Sequence, residues 1–287
     1  MSELSPHMPP GGPQAPVMDE RLRDDNPSVR CDALDALQDR AAPHVIARAA
    51  AALLDDPDPG VRDRASRMLL TLDDRATAAA QVAPYIASSH IATRNLAGEV
   101  LVALGAPAVD ALAPHLDADD PDVRKFALDL LAQLPAAALV DRIAAALDDP
   151  DANVRLAAVD ALGALRATAY AERLAALYDR EPLARPAVVH SMGAFGEEAD
   201  LALLERALAD ENPVVQLAAA EALASQDAPE VLELLLAQVD AVNATARPVV
   251  LHSIVELCTR YPRYQDGLPP GRAARHPAQR HAPRLQR

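Results

Sequence analysis

Two versions of one phrase stand 62 residues apart: "ARPAVVHSM" at 184–192 and "ARPVVLHSI" at 246–254, each with a histidine six places after its first alanine. Carboxylates fall in the same phase of the chain. The series reads Asp129, Asp160, His190, Glu221, His252, at steps of 31, 30, 31 and 31 residues. An imidazole beside a carboxylate can pass a proton near neutral pH, because the carboxylate favours the charged ring. The same groups at even intervals can anchor a polar partner. Metal binding fits poorly, since packed helices stand roughly 8–10 Å apart while zinc ligands must come within about 2 Å of the ion. No metal and no cofactor is expected. Ser191 and Ser253 follow the histidines, but the next position on a helix turns toward the core side, so a Ser–His nucleophile is not expected there.

A repeat must position this series. The element "acidic turn, Pro, V-R-x-x-A-x-x-A-L-x-x-L" occurs eight times, anchored at Val29, Val61, Thr93, Val123, Val154, Ala184, Val215 and Ala246, with steps of 30 to 32 residues. It is best kept in "DDPDVRKFALDLLAQL" (119–134) and "DDPDANVRLAAVDALGAL" (148–165). Each copy predicts a pair of helices. Helix A is the Ala/Leu-rich run before the turn, and helix B begins at the V-R step. Asp and Asn in the turn supply the cap and the negative charge that a helix N-terminus favours, and Pro near the first turn sacrifices no hydrogen bond. With the anchor numbered 1, position 5 of helix B is Ala or Val and position 9 is Leu, Met or Ile in all eight copies. That is the stripe of a core face. Position 7 lies away from it and is ionisable in every copy: Asp35, Arg67 and Glu99 precede the five residues above.

Composition agrees with an all-α chain. Apolar residues make up 51% and aromatics 2%, with no Trp, so alanine and leucine must build the interior, and both favour helices over strands. A net charge of −15 argues against a nucleic-acid surface. Cys31 and Cys258 have no metal or redox spacing and read as reduced thiols of a cytoplasmic protein. No run of apolar residues is long enough for a membrane span, and the first residues hold no secretory signal. Residues 1–17, rich in Pro and Gly, are expected to be a disordered tail, 18–258 the repeat array, and 259–287 a basic, mostly disordered tail. That last tail carries seven Arg and one Asp, a net +6, leaving −21 on the rest. It could fold back on the acidic body or attract an acidic partner. Tyr261 and Tyr264 are expected to cover the open end of the last repeat.

The motif D-P-D-x-x-V-R-x-x-A-x-x-A-L, over about residues 18–258, resembles the HEAT repeats, specifically the short HEAT-like variety named for phycobilisome lyases. The resemblance implies a right-handed α-α superhelix of about eight HEAT-like helix pairs, with helices B lining the concave side. It also implies that the position-2 arginines (Arg30, Arg62, Arg94, Arg124, Arg155, Arg185, Arg247, with Gln216 in the seventh copy) bridge to acidic turns of neighbouring units. Along that face, position 3 changes from Cys31, Asp63, Asn95 and Lys125 to Leu156, Pro186, Leu217 and Pro248, while position 10 of the later copies is Gly163, Gly193, Ala224 and Val255. An apolar groove with a few polar anchors is the usual make-up of a binding site. The expected function is a scaffold or adaptor that grips another protein or peptide there, through Asp129, Asp160, His190, Glu221 and His252 with Leu156, Pro186, Leu217 and Pro248. The alternative is a lyase or lyase-chaperone that handles a chromophore-like ligand and uses the same acids and imidazoles. Two other HEAT-like activities fit less well. The paired His-Glu of deoxyhypusine hydroxylases does not occur, nor does the basic, aromatic groove of alkylpurine DNA glycosylases.

Overall fold

The computed structural model describes residues 19–226 and 228–261, and all regular structure among them is helical. The tail expected at 1–17, and all of the basic tail beyond Tyr261, lie outside the described residues. Internal contacts gather the chain into two units that meet in sequence between Ala118 and Asp119. The first unit holds α1 (Pro27–Gln38), α2 (Pro43–Ala52), α3 (Pro59–Thr71), α4 (Arg75–Val82), α5 (Ile91–Leu104) and α6 (Pro107–Leu112). The second holds α7 (Pro121–Leu131), α8 (Val140–Ala145), α9 (Ala152–Ala164), α10 (Ala171–Arg180), α11 (Arg185–Ala194), α12 (Leu201–Leu208), α13 (Pro213–Ala224), α14 (Pro229–Gln238) and α15 (Arg247–Arg260). The odd-numbered helices are the eight B helices and the even-numbered ones are helices A. The first copy departs from the expected pair: before α1 the described chain forms only a 3-10 turn, Glu20–Arg23. Its charged sequence, ERLR, offers Leu22 as the one buried residue, too little apolar surface to hold a longer helix against its neighbour.

The acidic turns work as the sequence predicts, with two carboxylates sharing the task. In "DDPD" of the second copy, Asp58 caps α3 by accepting from the Gly60 and Val61 amides, at 2.8 and 3.1 Å. Asp56, two residues earlier, accepts from the Asp58 amide at 2.9 Å. Asp149 and Asp151 repeat the arrangement before α9, as do Asp210 and Asn212 before α13. In four turns a carboxylate also receives the position-2 arginine of the preceding copy, whereas Arg94 makes no such bridge among the described residues. Arg30 grips Asp56 through Nε and Nη2 at 2.8 and 2.7 Å, with both side chains buried. Arg124 grips Asp149 at 2.8 Å through the same two nitrogens. Arg155 reaches Glu181 at 2.9 Å, and Arg185 reaches Asp210 at 3.0 Å. In the seventh copy Gln216 plays the part neutrally, accepting from the Asn243 amide and side chain at 2.8 and 2.6 Å. Most of these side chains also donate to carbonyls of their own turn, as Arg30 does to Asp24 and Arg155 to Asp149. The result is a ladder along the turns. Arg62 departs from it: it holds only its own Asp56 and Pro57 carbonyls, because the next turn reads Ser88-Ser89-His90 and offers no carboxylate. Asp55 links these copies instead, accepting from His90 Nδ1 at 2.9 Å and from the Thr93 hydroxyl.

The core stripe is where the period placed it. All eight position-5 residues are fully buried, from Ala33 to Val250. Position 9 is buried from Leu69 to Ile254, with only Leu37 half-exposed. Which layer of a unit is drawn together depends on where the small residues lie. In the first unit they are in the even helices, where Ala47, Ala49, Ala50 and Ala51 of α2 and Ala78 and Ala79 of α4 are buried, and α2, α4 and α6 pack extensively on one another. In the second unit the odd helices α7, α9, α11, α13 and α15 pack in close succession, while the even ones scarcely touch. Gly163 of α9 shows why: a Cβ there would stand 2.6 Å from Ser191 Cβ and 2.8 Å from Ser191 Cα. At Gly193 of α11 it would stand 2.7 Å from Ala222 Cβ. The close approach lets side chains bond directly to the neighbouring backbone, Ser191 Oγ to the Val159 carbonyl at 2.9 Å and Gln226 Nε2 to the Gly193 carbonyl at 3.0 Å. A stack drawn together along one layer opens along the other, so within this unit the odd helices form the inner side.

Candidate interaction face

The five position-7 residues of interest all belong to the second unit, one on each odd helix: Asp129 on α7, Asp160 on α9, His190 on α11, Glu221 on α13 and His252 on α15. Opposite the buried stripe, Asp129 is half-buried and the other four are exposed. Leu156, Pro186 and Leu217, one turn earlier on their helices, are half-buried, and Pro248 is exposed. Pro186 and Pro248 lie in the first turns of α11 and α15, which lack a side-chain cap. The repeated phrase thus opens its helices with proline and no capping side chain, whereas α1, α3, α7, α9 and α13 are capped by Asp or Asn. Position 10 requires a correction. Gly163 is buried and Gly193 half-buried against the next helix, so they set the spacing of the layer and do not line a groove. The two serines are buried as expected, Ser191 donating to Val159 and Ser253 to the Val249 carbonyl at 2.9 Å.

The row is not electrostatically uniform. Lys125, one turn before Asp129, donates to it at 2.6 Å. His252 stands 3.4 Å from Glu256, one turn later on α15, with the imidazole side chain 73% exposed. Both partners share a helix face with the residue they contact, and the i, i+4 spacing in the sequence was the signal for them. The side chains of Asp160, His190 and Glu221 form no hydrogen bond or ion pair among the described residues. The centre of the row is therefore its uncommitted part. Asp160 is crowded there: desolvation pushes its carboxyl above the ordinary value of 3.8, with His190 opposing that rise and Asp129 adding to it.

A raised carboxyl works against folding at neutral pH. The folded chain binds that proton more tightly than the unfolded chain, so the charged form carries a penalty that disappears as pH falls through the raised value. Asp160→Asn is therefore expected to melt at or above the wild-type temperature at pH 7, with the difference shrinking to nil as the pH falls toward 3.8. Thermal unfolding of both proteins across pH 3.5–8 checks this. A variant less stable than wild type at pH 7 would mean that Asp160 serves the fold.

No group of three or more His, Cys, Asp or Glu side chains among the described residues could hold a metal ion, and no described helix is long and apolar enough to cross a membrane. Comparison with known proteins places the repeat. The family model described as HEAT repeats matches residues 109–183 and 171–255, together just over half of the chain. No curated protein matches. Among solved structures, the complex of CpcE and CpcF of phycocyanin lyase from Nostoc sp. PCC7120 is 21% identical, covering 76% of this chain and 95% of that one, with a TM-score of 0.41. Human deoxyhypusine hydroxylase in complex with glycerol is 22% identical over 83% of this chain and 93% of that one, with a TM-score of 0.36. YibA of Escherichia coli is 17% identical over 83% and 90%, with a TM-score of 0.45.

Proposed function

Since this chain belongs to the HEAT-repeat family, we propose that it is a protein-binding scaffold whose docking face is the position-7 row of the second unit. The observation that carries this is the centre of the row, where the side chains of Asp160, His190 and Glu221 are exposed and form no hydrogen bond or ion pair with another described residue. The half-buried Leu156, Pro186 and Leu217 alongside provide apolar area, and the polar row fixes orientation. The partner is a protein segment or peptide surface that brings hydrogen-bond donors to the centre of the row.

The test compares affinity capture by the wild-type chain with two full-length variants of unchanged melting temperature. One carries Asp160→Ala, His190→Ala, Glu221→Ala and His252→Ala; the other carries Glu172→Ala, Glu205→Ala and Glu233→Ala, exposed residues of the even helices. A partner bound by the wild type is expected to be lost at least about tenfold by the first and kept by the second, as for contacts worth about 1.4 kcal/mol or more. Equal capture by all three proteins would end the proposal. A chromophore that co-purifies and absorbs visible light, and is released by the first variant alone, would replace it with the lyase alternative.

A further inference from the structure

The two copies that carry His190 and Glu221 depart from the others at position 0, the residue before the anchor. Elsewhere it is small or polar: Ser28, Gly60, Ala92, Asp122, Asn153 and Thr245. Such residues suit the start of a helix in water. In the sixth and seventh copies it is Leu183 and Val214, which are 91% and 58% exposed. Pro182 and Pro213 beside them are exposed as well. A single exposed leucine is ordinary on a surface, but equivalent positions on adjoining copies make one patch. Because α11 and α13 pack extensively on each other, their first turns stand about 8–10 Å apart.

The patch and the row are joined along α13. Val214 and Glu221 are seven residues apart, close to two full turns, so they share a face at a separation of about 10–11 Å. Half-buried Leu217 lies between them. Leu183 precedes His190 by the same step, just before α11 begins. Charge here is unmatched. The exposed side chains of Asp160, Glu211 and Glu221 form no ion pair among the described residues. Arg155 of α9 and Arg185 of α11 are held in the ladder by Glu181 and Asp210, and α13 contains no Lys or Arg. No lysine or arginine of these three helices is left for the carboxylates. Resting on the docking face proposed above, we infer that its occupant is a basic amphipathic helix of a partner protein, laid lengthwise along α11 and α13. A bulky apolar side chain covers Leu183 and Val214, and a lysine or arginine two turns on meets Glu221. A helix repeats the 10–11 Å step of α13 on one face. An extended segment covers that distance in about three residues, which puts its two side chains on opposite faces.

The test follows the fluorescence anisotropy of a labelled helical peptide added to the full-length protein. The peptide is built on alanine and glutamine and carries a leucine and, seven residues on, a lysine, in either chain order. One order is expected to bind. Binding should weaken about tenfold when glutamate replaces the lysine, or when the lysine is moved to five residues on, which turns it about 140° off that face. Leu183→Ser with Val214→Ser, and separately Glu221→Gln, should each weaken it by about the same factor at unchanged melting temperature, whereas Leu183→Met with Val214→Ile keeps it. Affinity indifferent to the sign or place of the lysine, or to the serine pair, would overturn the inference, as would no binding of either order at millimolar peptide. The underlying reading fails separately. A captured partner lost by the position-7 variant but kept by the serine pair leaves the docking face standing and removes the lengthwise helix, whereas one kept by both removes the face itself.

Discussion

Asp149→Ala is expected to destabilise the second unit by about 2–4 kcal/mol, the range for breaking a largely buried, hydrogen-bonded ion pair from one side, reduced for partial exposure. Its carboxylate accepts two bonds from Arg124 and one from the Asp151 amide. Alanine removes the carboxylate that grips the Arg124 guanidinium, 13% exposed, and releases the turn that starts α9. Asp149→Asn keeps an acceptor for the Asp151 amide but not the charge, and should lose about half as much. The double change Arg124→Met with Asp149→Leu should lose less than Asp149→Ala, because nothing charged is then stranded. The pH dependence has a definite sign. Hydrogen bonding to Arg124 holds the Asp149 carboxyl below its ordinary 3.8, so its contribution is present above that value and is lost as pH falls through the lowered one. The gap between wild type and Asp149→Ala should thus be constant from neutral pH down to about pH 5 and close in stronger acid. Urea unfolding at several pH values measures it. A loss below about 0.5 kcal/mol would reduce the ladder to surface decoration.

Gly163→Ala tests the other device, the seam between odd helices. In an ordinary helix interior this change stabilises by roughly 0.5–1 kcal/mol. Here the added Cβ would meet the Cβ and Cα of Ser191 at 2.6 and 2.8 Å, and the latter belongs to backbone that cannot swing aside. Overpacking of this kind costs about 1–3 kcal/mol, which exceeds the propensity gain and reverses the sign. Gly163→Val should be worse. Gly193→Ala should behave in the same way against Ala222. At Gly60 the nearest obstacle is a side-chain oxygen of Asp58 at 3.1 Å, so Gly60→Ala should be close to neutral and serves as control. Denaturant midpoints of the three alanine variants decide the matter, and a stabilised Gly163→Ala protein would mean the helices are free to move apart.

The repeat and the core stripe were legible in sequence because each follows from a period that a single helix imposes, whereas the arginine bridges were expected from the family resemblance and their direction needed coordinates. Position 5 had to be small and position 9 large wherever helix B faced its pair. The groove was legible only in part. A helical wheel places Gly163 on the same side as Leu156 and Asp160, but it says nothing of how near the neighbouring helix stands. Distance turned those glycines from lining into seam. Asp129 and His252 looked equivalent to Asp160 and Glu221 until Lys125 and Glu256 were seen to engage them. The missing bridge at Arg62 could have been read from the carboxylate-free turn Ser88-Ser89-His90, whereas the substitute through Asp55 and Thr93 needed coordinates.

The bridges of the ladder run from Arg30 to Asp56, Arg124 to Asp149, Arg155 to Glu181 and Arg185 to Asp210. Each joins a position-2 arginine to a carboxylate of the next turn. Within the second unit, excising the copy that carries Arg155 would leave the Arg124 guanidinium facing Glu181 in the next turn. An array joined in this way can gain or lose members during evolution without inventing a new joint.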